Sequence, residues 1–136
     1  MGKDERPPKN SAAGSSVGRL RRRADFLRVA AVRRKWAAPG LILQVAPQPE
    51  PAADEIPVEP VRVGFTASRK VGNAVKRNRA RRRLKALVRE MIADGANPGL
   101  DLVLIARPAT VDRPFDELRR DLEQSLQRTK AKRKPH

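Results

Sequence analysis

The sequence predicts an α+β fold, in which helices pack on a small β-sheet. Two observations predict this class. Three short stretches are apolar or alternate in polarity as strands do, and three others have apolar residues at helical spacing. Their order along the chain is α-β-β-α-β-α, and 136 residues suffice for one domain. We expect a disordered extension over 1–16, a folded domain over 17–129 that contains an acidic Pro-rich loop at 46–60, and a basic tail over 130–136.

The first helix is predicted from about Arg23. Phe26, Val29, Ala30 and Arg33 lie on one side of it, and Trp36, Pro39 and Gly40 are expected to end it. A phenylalanine in a helix is usually a core residue.

Two strands follow this helix. Residues 41–46, between Gly40 and Pro47, have the composition of the first strand, and the segment from Pro47 to Pro60, with five prolines and four acidic residues, is a loop. Residues 61–68 alternate, which predicts a half-buried strand. Val61, Val63, Phe65 and Ala67 form one face of it, and Arg62, Gly64, Thr66 and Ser68 form the other.

The second helix is strongly basic, because Arg69 to Arg89 contains ten Lys or Arg and no Asp or Glu. Its apolar residues recur at the spacing of one buried helical face, and they are Ala80, Leu84, Leu87, Val88 and Met91. Asn78, Arg82, Lys85 and Arg89 fall on the opposite face, with Arg79 beside them. Like charges on a helix repel one another, so a folded protein that concentrates them is expected to bind a polyanion. A merely solvated basic surface is the alternative.

The last two elements are an apolar strand and a helix. Gly95 and Pro98-Gly99 predict a turn, and residues 100–106 form the strand. Thr110 or Asp112 is expected to cap the final helix, whose apolar edge is Phe115, Leu118, Leu122 and Leu126. The carboxylates of Asp116, Glu117, Asp121 and Glu123 are expected to face solvent.

The composition favours a nucleic-acid-binding protein over an enzyme that acts alone. The net charge is +16, the chain has no cysteine, and its one histidine is His136 at the C-terminus. No catalytic or metal-ligating constellation is visible, and no apolar run of about 18 residues could span a membrane. Without a signal-peptide pattern, a cytoplasmic location is expected. The few aromatic residues favour contacts to phosphates and 2′-hydroxyls of structured RNA over stacking on single strands, although these features do not separate RNA from DNA.

One long stretch resembles a known family. The run from Gly64 to Arg79 (GFTASRKVGNAVKRNR), followed by Arg82, Lys85 and Glu90, resembles the signature of the bacterial ribonuclease P protein component, with Arg77-Asn78-Arg79 as its "RNR" element. Arg19-Leu20 with Asp25-Phe26 resembles the family's first helix, and Asp101 to Pro108 resembles its last strand. The resemblance extends from about Val17 to Thr129.

The resemblance implies a role within a ribonucleoprotein. The protein would bind the catalytic RNA and the 5′ leader of precursor tRNA and so promote endonucleolytic removal of the leader. The RNA subunit would hold the catalytic Mg²⁺ ions, and no further protein partner and no membrane would be required. The resemblance also implies a left-handed βαβ crossover around the basic helix, which is rare. The alternatives are a ribosomal-type structural RNA-binding protein without linked activity and a basic protein that binds DNA or membrane surfaces.

The resemblance assigns two sets of residues and no catalytic residue. The set that would bind the RNA subunit is Arg77, Asn78, Arg79, Arg82, Lys85 and Arg89. The set that would line a leader-binding cleft is Phe26, Gln44, Thr66, Ser68, Arg69 and Lys70. Two departures from the family are Ala30 and Gln44, which stand where many relatives have aromatic residues, so stacking on the leader is expected to be weaker here.

Overall fold

The computed structural model describes residues 17–49, 61–96 and 99–132. Within them the chain forms a five-stranded sheet and three α-helices, which confirms the α+β class. The elements are β1 (Val17–Arg19), α1 (Arg23–Val32), β2 (Arg34–Ala37), β3 (Leu41–Pro47), β4 (Val61–Thr66), α2 (Ala74–Gly95), β5 (Leu100–Ala106), a 3-10 helix (Pro108–Val111) and α3 (Phe115–Arg128).

The strands are arranged in the order β1-β4-β5-β3-β2. The pairs β1–β4 and β4–β5 are parallel, whereas β5–β3 and β3–β2 are antiparallel. Since β4 and β5 are adjacent and parallel, α2 is the crossover of a βαβ unit. The left-handedness of this crossover stays a prediction. β5, the last strand in sequence, lies at the centre of the sheet.

The main core lies between the sheet and the two longer helices, on what we call the core face. The central strands contribute mostly Leu and Val to it, and α2 and α3 cover them with leucines that are almost completely buried; the helical residues are Leu84, Leu87, Leu118, Leu122 and Leu126. The predicted apolar faces of both helices are therefore confirmed, although Met91 is only half-buried and Ile92 is buried in its place.

The other side of the sheet, which we call the open face, carries Ile42, Gln44, Gly64, Thr66, Val103 and Ile105. These residues share a face because they alternate with the core residues of the same strands and are in register across β3, β5 and β4. A small second cluster of Leu20, Val29, Ala46 and Val103 lies here, with Phe26 and Ile105 packed against it. Helix α1 covers only part of this face, so Ile42, Gln44, Thr66 and Ile105 are half-buried.

The N-terminal half differs from the prediction in two places. Helix α1 ends at Val32, because Arg33 adopts a left-handed conformation (φ 64°). The chain then forms β2, so the expectation that Trp36 ends a helix is wrong. Trp36 lies in the strand, and its ring is 5.0 Å from the Arg128 guanidinium. The short edge strand β1 was not predicted either.

Several predicted boundaries also shift. Pro47, predicted as the first residue of the loop, pairs with Leu100 as the last residue of β3, and Glu50 to Pro60 lie outside the described residues. Strand β4 ends at Thr66 rather than at Ser68. Thr110 and Asp112 belong to the 3-10 helix region, and α3 begins at Phe115 after Pro114. The predicted extension 1–16 lies outside the described residues. Of the predicted tail, Lys132 forms a β-bridge with Ala96, and residues 133–136 are not described.

Candidate nucleic-acid interface

A fixed turn joins the end of β4 to the start of α2. The backbone N–H of Val71 donates to the Ser68 carbonyl at 3.0 Å, and that of Gly72 donates to the Arg69 carbonyl at 3.1 Å. Asn73 caps the helix, because its side-chain oxygen accepts the Lys76 N–H at 3.0 Å. The turn therefore holds the first basic residues of α2 at a set position relative to the sheet.

The side of α2 that points away from the core carries Asn78, Arg82 and Arg89, all of them exposed. Within the described residues, Arg82 and Arg89 have no hydrogen bond or ion pair, and Asn78 accepts a hydrogen bond from Arg81 at 3.0 Å. We call these three residues the outer face of α2. Their positions agree with the prediction, and the guanidinium groups of Arg82 and Arg89 are available for phosphate oxygens.

The other predicted residues of this set make contacts within the protein. Arg77 is half-buried and donates to the Gly72 carbonyl at 2.9 Å. Arg79 donates to the Val111 carbonyl at 2.9 Å and lies 3.8 Å from Asp112. The Lys85 ammonium lies 6.0 Å from the centre of the Phe65 ring, at the edge of the core face. These three side chains therefore also stabilise the fold.

Arg83, which the sequence did not single out, fastens α2 to the 3-10 helix region. Its guanidinium donates to the Thr110 carbonyl at 2.6 Å and to the Arg113 carbonyl. Burial, together with the nearby charge of Arg79, lowers the pKa of Arg83. Its spacing from Arg79 places both on the edge of α2 that faces the 3-10 helix region. The sequence contains this spacing, but its meaning depends on knowing which element packs there.

Phe26 packs directly on the sheet. A Cβ atom built on Gly64 would lie 2.6 Å from the Cε1 and Cζ atoms of the Phe26 ring, so the ring occupies the space that a side chain at position 64 would take. Phe26 itself is half-buried. The sequence left open whether this residue is core or cleft. The structure places it at the boundary, with one side of the ring on the small second cluster and the rest accessible.

The structure brings two other predicted cleft residues, Gln44 and Thr66, to the same side of the sheet as Phe26. Gln44 and Gly64 are both in register with Val103, which puts them two strands apart, or about 10 Å. Thr66 lies one step further along β4 on the same face. Ser68, Arg69 and Lys70 are exposed in the turn that follows β4. The open face therefore carries an aromatic ring and polar groups, and two exposed cations follow in the chain directly after β4.

Three further residues belong to this surface and were not predicted. Lys35 of β2 is in register with Gln44, and Ile42 and Ile105 face the same way as Thr66. Lys35 was missed because β2 was not recognised. Phe65, predicted on the other face of β4 together with Val61 and Val63, packs against the main core.

The buried carboxylates are paired with arginines. Asp121, expected to face solvent, is buried. It accepts the Arg113 Nε–H at 2.7 Å and the Gly40 N–H at 3.0 Å, and the hydrogen bond to Asp121 raises the pKa of Arg113. Asp101 is fully buried against Arg28 and Arg62. These carboxylates are engaged by guanidinium groups and do not fit a metal site. Across residues 17–49, 61–96 and 99–132 there is no group of three or more potential metal ligands, and no helix there has the length and apolar character of a membrane span.

Comparison with known proteins places this arrangement in a family. The family model described as Ribonuclease P matches residues 16–130. The ribonuclease P protein component of Paramagnetospirillum magneticum is 53% identical over 120 residues, which are 88% of each chain. That of Ruegeria pomeroyi is 44% identical over 126 residues, covering 92% of this chain and 96% of the relative.

Solved structures agree in fold. The RNase P protein of Staphylococcus aureus superposes with a TM-score of 0.66 at 24% identity, covering 83% of this chain and 95% of that one. The protein from Thermotoga maritima gives a TM-score of 0.62 at 23% identity, covering 78% and 92%. The family model and the relatives span nearly the whole described fold, including the basic helix and the open face. The chain therefore belongs to the family of ribonuclease P protein components.

Proposed function

We propose that this protein is the protein subunit of a ribonuclease P ribonucleoprotein, which binds the catalytic RNA through α2 and the 5′ leader of precursor tRNA on the open face, and so promotes removal of the leader. Family membership supports the coarse role. The observation that carries the finer one is the Phe26 ring over Gly64 on the open face, from which β4 leads through the Ser68–Gly72 turn directly into α2 with its exposed Arg82 and Arg89.

The two parts of this surface suit two kinds of RNA. The outer face of α2 offers Arg82 and Arg89, which suit the phosphates of a folded RNA. The open face offers an accessible ring edge and amide and hydroxyl groups, which suit unpaired nucleotides. The turn with Arg69 and Lys70 lies between them, where the leader would pass the RNA subunit.

The reaction centre of the proposed complex lies in the RNA. The Mg²⁺ ions would be held mainly by RNA phosphates and would activate the attacking water there. The protein's own residues bind, orient and neutralise RNA charge. Precursor tRNA and the RNA subunit are the proposed partners, no other protein partner and no membrane are required, and the proposed location is the cytoplasm.

Reconstitution tests this proposal. The full-length protein is added to a bacterial ribonuclease P RNA at limiting Mg²⁺, and 5′ processing of precursor tRNA is measured. We expect cleavage to be stimulated and no cleavage by the protein without the RNA. RNA binding without stimulated processing would contradict the proposal and would support the alternative of a structural RNA-binding protein.

A further inference from the structure

One buried charge cluster lies outside both proposed RNA contacts. The Asp101 side chain is completely buried on the open side of β5. Arg62 of β4 holds it with two hydrogen bonds, from Nε at 2.9 Å and from a terminal nitrogen at 2.7 Å. Arg28 of α1 donates to the same carboxylate, at the oxygen that the terminal nitrogen of Arg62 also contacts. Burial of a charge is costly unless it is paired in this way, so the cluster is a built feature rather than an incidental surface pair.

Arg28 ties α1 to the sheet at two points. Besides Asp101, its guanidinium donates to the Pro47 carbonyl at the end of β3 at 3.0 Å, and it also contacts Asp25 at 3.3 Å. The other attachments of α1 are few. Val29 is its one fully buried residue, and Arg22 at its N-terminus makes no side-chain cap. A helix with a full apolar face is held mainly by burial of that face. Helix α1 lacks such a face, so its position depends more strongly on the Arg28 contacts.

The same helix carries Phe26. Arg28 is two residues further along α1, so the Asp101 contact fixes the helix close to the residue whose ring lies over Gly64. A small rotation or translation of α1 would move the ring across the open face.

We propose that Asp101, acting through Arg28, is a positioning residue for leader recognition. It holds α1 at the angle that keeps the Phe26 ring over Gly64, without contact to RNA. This inference rests on the proposed function, because it assumes that the leader binds on the open face.

Arg28→Met is the sharpest variant. It keeps the length of the side chain, removes the hydrogen bonds to Asp101 and Pro47, and leaves Asp101 paired with Arg62, so no buried carboxylate is orphaned. Arg23→Met is the matched control, since Arg23 is an exposed cation on the same helix without a contact in the described part of the chain. Phe26→Leu reports independently whether the leader uses the open face.

The measurement is the affinity of the reconstituted holoenzyme for precursor tRNA with a multi-nucleotide leader and for mature tRNA, across a salt titration. We expect Arg28→Met to bind the precursor about five- to tenfold more weakly than Arg23→Met does, near the lower end of the loss of one stacked base. Mature tRNA should be bound equally, and the salt slopes of the two variants should match. Asp101→Asn, combined with Arg28→Met, should add little to the effect of either change alone.

Each other outcome is decisive. If Phe26→Leu discriminates between the two ligands and Arg28→Met behaves like Arg23→Met, the inference is overturned while the proposed function stands. The inference would also be overturned if the salt dependence of precursor binding were weaker for Arg28→Met than for Arg23→Met by an amount equal to about one phosphate contact. Arg28 would then bind the leader directly. If Phe26→Leu affects both ligands alike, the open-face site itself fails. Should Arg28→Met fold poorly, Arg28→Lys, which keeps the charge but not the fork of donors, replaces it with Arg23→Lys as its control, and the affinities for the two ligands are judged as above.

Discussion

At the scale of single residues, the arginines of α2 divide into two classes that their spacing alone does not reveal. Arg82 and Arg89 are exposed and make no ion pair or hydrogen bond within the described residues, whereas Arg79 and Arg83 donate to backbone carbonyls of the region that follows β5. In this basic helix, neighbouring arginines therefore differ: some are free for the proposed RNA contact, and others stabilise the fold.

The first prediction separates the two classes. Arg82→Ala should weaken binding to the RNA subunit and reduce the salt slope of binding by about one unit, with the free energy of unfolding unchanged. Arg83→Ala should instead lower the free energy of unfolding by about 1–3 kcal/mol, because two carbonyls lose their donor. Salt titration of binding and urea denaturation measure the two effects. An unchanged affinity of Arg82→Ala would remove this residue from the interface.

The second prediction concerns the contact between Gly64 and Phe26. Gly64→Ala places a methyl group where the Phe26 ring lies, 2.6 Å from its nearest atoms, so the ring has to move. We expect weaker binding of precursor tRNA with little change for mature tRNA, measured in the reconstituted holoenzyme. Gly99→Ala is the control, because no atom lies within 4 Å of the Cβ that it would add. It should lower stability somewhat, since Gly99 has a positive φ (85°), but it should not affect leader binding. Equal affinities of Gly64→Ala and wild type for the leader-bearing substrate would show that the ring position is irrelevant.

The sequence predicts where most of the proposed site residues lie but not their surroundings. Alternation in β4 is enough to place Gly64 and Thr66 on one face, and helical spacing is enough to expose Arg82. The burial of Asp101 and Asp121 could not be predicted, because an isolated carboxylate in an apolar strand or on a helix gives no sign of its arginine partner. Those partners, Arg62 and Arg113, become recognisable only when β4 and β5 are adjacent and α3 is docked.

At the scale of elements, the packing of α2 on the sheet is the feature that orients the proposed RNA-binding surface. Leu84 is completely buried in this packing. Leu84→Ala should cost about 2–5 kcal/mol of the free energy of unfolding as a core truncation, measured by thermal or urea denaturation. Ala86→Gly, a substitution at a half-buried position of the same helix, should cost only about 1 kcal/mol. A wild-type Tm for Leu84→Ala would mean that α2 is rotated relative to the arrangement described here.

Another element-scale prediction concerns the connection between β2 and β3. A Cβ on Gly40 would lie 2.5 Å from Asp121 Oδ2 and from Leu118 Cδ2, so this turn can approach α3 only as glycine. Gly40→Ala should lower the free energy of unfolding by about 1–3 kcal/mol through overpacking, and salt-dependent binding to the RNA subunit should not change in slope. Full stability of Gly40→Ala would contradict the close packing of this turn on α3.

The length of an element and the periodicity of its apolar residues determine whether the sequence predicts it. The two long helices and β3, β4 and β5 have clear apolar periodicity and were predicted within a few residues. Strands β1 and β2 have three and four residues and are rich in arginine and lysine. They form strands because they pair with the edges of an existing sheet, and their own residues do not predict that pairing.

At the scale of the whole molecule, the strand order makes stability uneven. β5 is paired on both sides along its length, while β1 and β2 each have a single partner. We expect amide hydrogen exchange to be slowest in β3, β4 and β5 and faster in β1 and β2. Only in the central strands should the free energy of the opening that permits exchange approach the global free energy of unfolding. Mass-spectrometric or NMR exchange on the free protein measures this. Equal protection of β2 and β5 would argue against the edge position of β2.

The central position of β5 also has a consequence for the newly made chain on the ribosome. Strands β3 and β4 are translated before β5, yet they do not touch each other in the sheet, because β5 lies between them. Until Leu100 to Ala106 have left the exit tunnel, the nascent chain can form the β2–β3 hairpin but not a continuous sheet, and the leucines of α2 have no completed surface to cover. The arginines of α2 are thus exposed on an incompletely folded chain for part of translation. During that interval, binding of a chaperone or of the RNA partner would protect the incompletely folded chain most effectively from aggregation.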